Sequence, residues 1–164
     1  MKDCEIWNLD KVKKEFSVFE KKHKLPKFDK LNEDFDIERI AEKETDFLLR
    51  EIRKTIADKI LAYLRFLEIL INPANGGPMF FFMIVKGLNV NDKTLVEETY
   101  KKIAKYELDA IALDNRYDEK AEAVFINKVC GEWKDVKDDI DKLVSIMKES
   151  WEKETEKNDK GYFG

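Results

Sequence analysis

The stretch from Phe47 to Val90 constrains the fold more than any other part of the chain. It reads FLLREIRKTIADKILAYLRFLEILI, breaks at NPANGGP, and resumes as MFFFMIV. Leu49, Ile52, Ile56, Ile60, Tyr63, Leu67 and Leu70 recur at spacings of three and four, which places them on one helical face. Phe47, Leu48, Leu61, Leu64, Phe66 and Ile69 widen that face beyond a coiled-coil seam, so other elements are expected to surround the C-terminal half. Asp58, Lys59, Arg65 and Glu68 interrupt the run, which stays short of the roughly 18–20 apolar residues that a membrane span needs.

Asn72-Pro73 is a stop signal, and Asn75-Gly76-Gly77-Pro78 is a turn cluster. The segment MFFFMIV has two readings. Its aromatics and Ile-Val favour a strand, yet nothing else in the chain offers a partner strand. A short helix, framed by Pro78 at its first position and Gly87 after its end, is the better reading. Seven consecutive apolar residues in water invite aggregation. Residues 78–86 are therefore expected to be a short buried segment or to be covered by another subunit, with Met79, Phe80, Phe81, Phe82 and Met83 as candidate interface residues.

The rest of the chain reads as helices around this block. Residues 1–7 form a leader. A first helix starts at Asn8, an N-cap with Trp7 and Val12 at the hydrophobic-staple positions. Its stripe is Leu9, Val12, Phe16 and Phe19 up to His23, and Pro26 ends it. LPKFDKLN connects to a second helix starting near Asn32 or Asp34 and running to Ile71, about 38 residues or roughly 57 Å. Asn91 caps a third helix, with Val90 and Leu95 as its staple, ending near Leu113. A tight turn at 114–118 leads to a last helix over 119–155, recapped by Asp118 and weakened by Gly131. Residues 158–164 are expected to be a disordered tail. The fold class that follows is all-α: an antiparallel up-down-up-down four-helix bundle with one additional short buried apolar segment, in a single domain of residues 1–164. The second and last helices outrun the others, and apolar overhangs favour a homodimer.

Composition narrows the function classes. Charged residues make up 40% of the chain and hydrophobic residues 43%, with only 6 Gly and 3 Pro. That balance excludes disorder and indicates charged outer faces on helices. The net charge of −4 gives no expectation of nucleic acid or an anionic membrane as partner. Cys4 and Cys130 have no metal or redox spacing, and no secretory signal is evident, so a cytoplasmic location is expected. The absence of Gln beside abundant Lys and Glu resembles a thermophile's composition, although an AT-rich genome produces the same Lys bias.

Several chemistries lack their residues. The single histidine, His23, stands between Lys22 and Lys24 at a helix C-terminus, where the helix dipole favours it. Multi-histidine zinc sites and Glu-x-x-His di-iron sites are thus excluded. Ser17, Ser145 and Ser150 have no nucleophile-elbow context. Gly76-Gly77 lacks the Lys-Ser/Thr of a phosphate loop. The Glu-Glu-x-x-Glu pattern of all-α nucleotide pyrophosphatases fails at Lys101, and Asp138-Asp139-Ile140-Asp141 lacks the spacing of prenyl-diphosphate synthases.

One constellation remains. At about 100° per residue, Glu107 and Asp114 fall within the apolar arc of the third helix, and Arg53 falls within that of the second. Extending the second helix's phase backwards brings Glu38, Glu42 and Thr45 to the core side. The simpler reading is an ion-pair network of Arg53 with Glu107 or Asp114, which specifies register more than it adds stability. The sharper reading is a cluster of Glu38, Glu42, Arg53, Glu107 and Asp114 that holds Mg²⁺ or Mn²⁺, or a nucleotide, in an enzyme. Catalytic motifs are lacking, so the first expectation is a non-enzymatic assembly or protein-partner-binding module with no resident metal or cofactor. The metal- or nucleotide-dependent enzyme is the alternative.

Overall fold

The computed structural model describes residues 8–162, with side chains as far as Lys157. It is all-helical, and no strand occurs among the described residues. The elements are α1 (Leu9–His23), α2 (Phe28–Phe35), a 3₁₀ segment (Ile37–Glu42), α3 (Leu48–Ile71), a second 3₁₀ segment (Pro73–Asn75), α4 (Met79–Gly87), α5 (Val90–Asn115) and α6 (Glu119–Tyr162). Trp7 and the rest of the expected leader lie outside the described residues, as do the last two residues of the expected tail. The residues between them and the expected helix end at 155 continue α6 as far as Tyr162.

Local chemistry explains most boundaries. Asn8 caps α1, its side chain accepting from the Lys11 N–H at 3.0 Å. Lys24, at φ 53°, closes that helix in the left-handed region two residues before Pro26. Asp118 caps α6 by accepting from the Ala121 N–H at 2.7 Å. At α5 the cap is Asn89, not Asn91. The Asn89 side chain accepts from the Asp92 N–H at 2.9 Å, and Asp92 accepts in return from the Asn89 N–H at 3.0 Å. This reciprocal box displaces the expected staple, and Val90 stays exposed.

The expected 38-residue second helix is three elements. Phe28, Leu31 and Phe35 are buried at helical spacing, so the supposed connector is itself helix α2. Asp36, at φ 56°, breaks the chain out of that helix. The following 3₁₀ turn buries Ile37 and Ile40, three residues apart. Glu38 and Glu42 are consequently exposed, because a period of three rather than 3.6 governs the segment that carries them. The Thr45 hydroxyl then accepts from the Phe47 N–H at 3.0 Å and begins the run into α3.

Among the described residues, those up to Ile60 pack with Tyr106–Glu132 as one compact unit, and Leu61–Lys105 packs with those from Trp133 onward as another. The first unit's core includes Val12, Phe16, Leu31, Ile37, Leu49, Ile52, Ile56, Tyr106 and Val129. Phe16 and Phe28 meet edge to face at 5.7 Å. The second unit is centred on Trp133, fully buried and stacked on Tyr63 at 5.7 Å. Leu67, Leu70, Val96, Ile103 and Leu143 pack in the same unit. Full burial of such a side chain contributes about 1.5–3 kcal/mol each.

The expected buried segment at 78–86 is a helix whose burial is one-sided. Only Ile84 is fully covered, Phe81 and Met83 are half-buried, and Met79, Phe80 and Phe82 are exposed. Ser150, buried on α6, donates its hydroxyl to the Ile84 carbonyl at 2.7 Å and so anchors the last turn of α4. Gly87 is the last helical residue rather than the one after the end, and it lies directly against Ser150. Seven apolar residues in a row populate every side of a two-turn helix, and one neighbouring surface can cover only part of them.

Candidate functional site

The polar centre of the first unit is Arg53, 1% exposed on α3. Its Nε donates to Glu122 Oε2 at 2.9 Å, and Nη1 meets Asp114 Oδ1 at 2.7 Å. Glu122, on the first turn of α6, is itself 0% exposed. Arg50, one turn before Arg53, lies 3.6 Å from the other oxygen of Glu122 and donates to the Leu113 carbonyl at 3.2 Å. Its guanidinium also sits over the Tyr117 ring, which meets Phe47 edge to face at 4.7 Å. Burial works against the charge on Arg53, but hydrogen bonds and attraction from Glu122 and Asp114 outweigh it and raise its pKa. Arginine suits this position because its fork of N–H donors satisfies two carboxylates at once.

This network ties α3 to the turn between α5 and α6. Helical phase alone anticipates the meeting of Arg53 with Asp114. Glu107 is not a partner of Arg53; it lies half-buried two turns earlier on α5. Glu38 is turned to its own neighbourhood, accepting from Asn32 Nδ2 at 3.1 Å while its N–H donates to Asn32 Oδ1 at 2.9 Å. Glu122 is the residue that sequence reasoning undervalues. Its signal is a carboxylate at the fourth position of a helix otherwise apolar on that side, beside Ala123, Phe125 and Ile126.

Next to the network a cleft of about 960 Å³ opens between the 36–45 segment and the outer face of α3, and both Glu42 and Asp114 line it. Its walls carry both signs of charge, among them Lys43, Glu44, Lys54 and Asp58. Among the described residues no group of three or more His, Cys, Asp or Glu converges in a way that could hold a metal ion.

His23 and Cys130 lie away from this cleft. His23 Nε2 and Lys22 Nζ both meet Glu119 Oε1, at 2.6 and 2.7 Å. Asn127 Nδ2 donates to the His23 carbonyl at 3.2 Å, so the end of α1 is held to the start of α6. Hydrogen bonds first from Lys22 and then from His23 lower the pKa of Glu119. Burial pushes the Cys130 thiol up to about 12, which keeps it protonated and unreactive at neutral pH. No helix among the described residues is long and apolar enough to cross a membrane. Compared with known proteins, the chain matches no family model, no curated protein and no solved structure.

Proposed function

We propose that this chain is a non-enzymatic, cytoplasmic assembly module that pairs with a second copy of itself through the open face of α4, on a framework in which the long helices alternate up and down. The observation that carries the reading is the exposure of Met79, Phe80 and Phe82 together with Trp151, whose ring lies 6.2 Å from that of Phe80. These four side chains leave roughly 400 Å² of apolar surface open, scaling ordinary large side-chain areas by their exposed fractions. A small homodimer buries about 800 Å² per partner, about 65% of it apolar. The face therefore supplies about half of the area, and most of the apolar part, that a two-fold pairing buries. Light scattering tests the reading. Met79→Lys with Phe82→Lys is expected to lower the weight-average mass at equal concentration while the helical content by circular dichroism stays unchanged, and an unchanged mass would reject it.

A ligand site built on Glu38, Glu42, Arg53, Glu107 and Asp114 has weaker support. Arg53 is committed to Glu122 and Asp114, and Glu38 to Asn32. Only Glu42 and Asp114 of the five line the cleft. A rise in melting temperature with millimolar Mn²⁺ or Mg²⁺ would revive that reading.

A further inference from the structure

The end of α5 and the start of α6 form a hairpin within the first unit, and a groove of about 570 Å³ opens along it. That volume lies within the roughly 300–1,000 Å³ typical of small-molecule sites. Its apolar lining comes from Ala112 and Leu113 on α5 and from Ala121, Val124 and Phe125 on α6, at spacings that put each set on one helical face. Both helices carry alanine here, and a methyl group is too short to fill the space. Phe125 is buried, so the lining is continuous with the unit's core and is formed before any ligand arrives.

The charged residues that edge the groove are not equivalent. Asp109 and Lys128 pair with each other at 2.8 Å, at the end away from the turn. Asp118 accepts from the Ala121 N–H at 2.7 Å as the cap of α6, where the positive end of the helix offsets its charge. Lys120 lines the same groove and has no ion-pair partner among the described residues. Its neighbour Glu119 is taken by Lys22 and His23. An apolar lining with one unanswered ammonium at its edge suits an amphiphile of negative charge. A cationic ligand would be repelled, and an uncharged one would leave the ammonium unused. One ammonium matches a monoanion, whereas a phosphate group, with a charge of about −1.5 to −2 at neutral pH, calls for more donors. The α6 side from Ala121 to Lys128 is about 10 Å long, which suits a chain of medium length. We infer that the hairpin groove is a binding site for a medium-chain carboxylate, with its alkyl chain over Ala112, Ala121 and Phe125 and its head group on Lys120.

Nuclear magnetic resonance of the full chain, titrated with decanoate and separately with decyltrimethylammonium, tests the inference. The two probes share a chain length and differ in the sign of the head group. The backbone amides of Ala112, Ala121, Val124 and Phe125 are expected to shift saturably with decanoate, with a Kd on the order of 1 mM, the strength that ligand-efficiency bounds allow a small aliphatic acid. The cation should bind there about tenfold more weakly, the worth of one charge-assisted hydrogen bond. Lys120→Glu should reverse that preference, and an acid in the first turn of a helix is itself favourable to the fold. Ala112→Leu, at an exposed position, should fill the groove and weaken both probes alike. Circular dichroism checks that each variant keeps its helical content, and if Lys120→Glu does not, Lys120→Met should abolish the preference instead. Absent shifts, or shifts confined to α4, overturn the inference. Equal affinity for the two probes, or a decanoate affinity unchanged by Lys120→Glu, also overturns it. Movement of the same amides on dilution of the unliganded chain would put a second copy in the groove and overturn it as well.

Discussion

Arg53→Met is the most informative single perturbation of the buried network. It removes the guanidinium but keeps an unbranched side chain of similar reach, so the principal loss is electrostatic. Glu122, 0% exposed, is then left buried without its closest partner. Breaking a buried ion pair from one side costs about 3–5 kcal/mol. Two features place this case at the low end. Arg50 remains 3.6 Å from Glu122, and Asp114, 56% exposed, can return to water. The expected loss is therefore about 3 kcal/mol, a large share of the 5–15 kcal/mol typical of a folded chain. For a chain of this size that corresponds to a fall of about 6–12 °C in melting temperature. Urea and thermal unfolding followed by circular dichroism measure it. The companion variant Arg53→Met with Glu122→Met removes both charges and should lie within about 1 kcal/mol of wild type, because apolar replacements of buried pairs are often neutral. A loss below about 0.5 kcal/mol in the single variant, the range of ordinary surface changes, would refute the burial of Arg53. A double variant as unstable as the single would show that lost packing, not a stranded carboxylate, sets the cost.

The glycines of two helices should respond in opposite directions. A methyl group at Gly87 would overlap the Ser150 hydroxyl, which is fixed by its bond to the Ile84 carbonyl, so Gly87→Ala should destabilise by about 1–3 kcal/mol. Gly131 has open space at that position, so Gly131→Ala should stabilise by about 0.5–1 kcal/mol, and urea midpoints compare the two directly. Glu119 predicts a pH dependence. A carboxyl held below its ordinary pKa by Lys22 and His23 stabilises the fold above its unfolded-state pKa, and that contribution disappears as the pH falls through the folded-state value. The stability gap between wild type and Glu119→Gln should accordingly be constant near neutral pH and close on acidification through the carboxyl range. A gap that persists in acid would rule out the Lys22–His23–Glu119 contact as its source.

The helical class was legible because the cues for it are local. Apolar spacing gave the α3 stripe, whose Leu49, Ile52, Ile56 and Ile60 are all fully buried. Asn8 and Asp118 marked helix starts through side-chain capping, a matter of a few residues. The stop at Asn72-Pro73 and the turn before Glu119 were readable for the same reason. Helical phase also brought Arg53 and Asp114 together, since each lay within an apolar arc and an interior charge requires an opposite one.

What tertiary structure alone decided is where local preference was balanced. Between Lys27 and Phe47 helix and 3₁₀ geometry compete closely, and burying Phe28, Phe35, Ile37 and Ile40 against the rest of the first unit selected the break at Asp36 that exposed Glu38 and Glu42. The choice of Glu122 over Glu107 as Arg53's partner depended on how α6 meets α3, which no periodicity within one helix encodes. The apolar segment at 79–85 shows the same division. Its composition led to the expectation that it would be covered, by the chain's own core or by another subunit. Only the packed structure determined which side is covered: Ile84 faces inward beside Ser150, while Met79, Phe80 and Phe82 face out, because a single helix surface can bury just one side of a helix that is apolar all round.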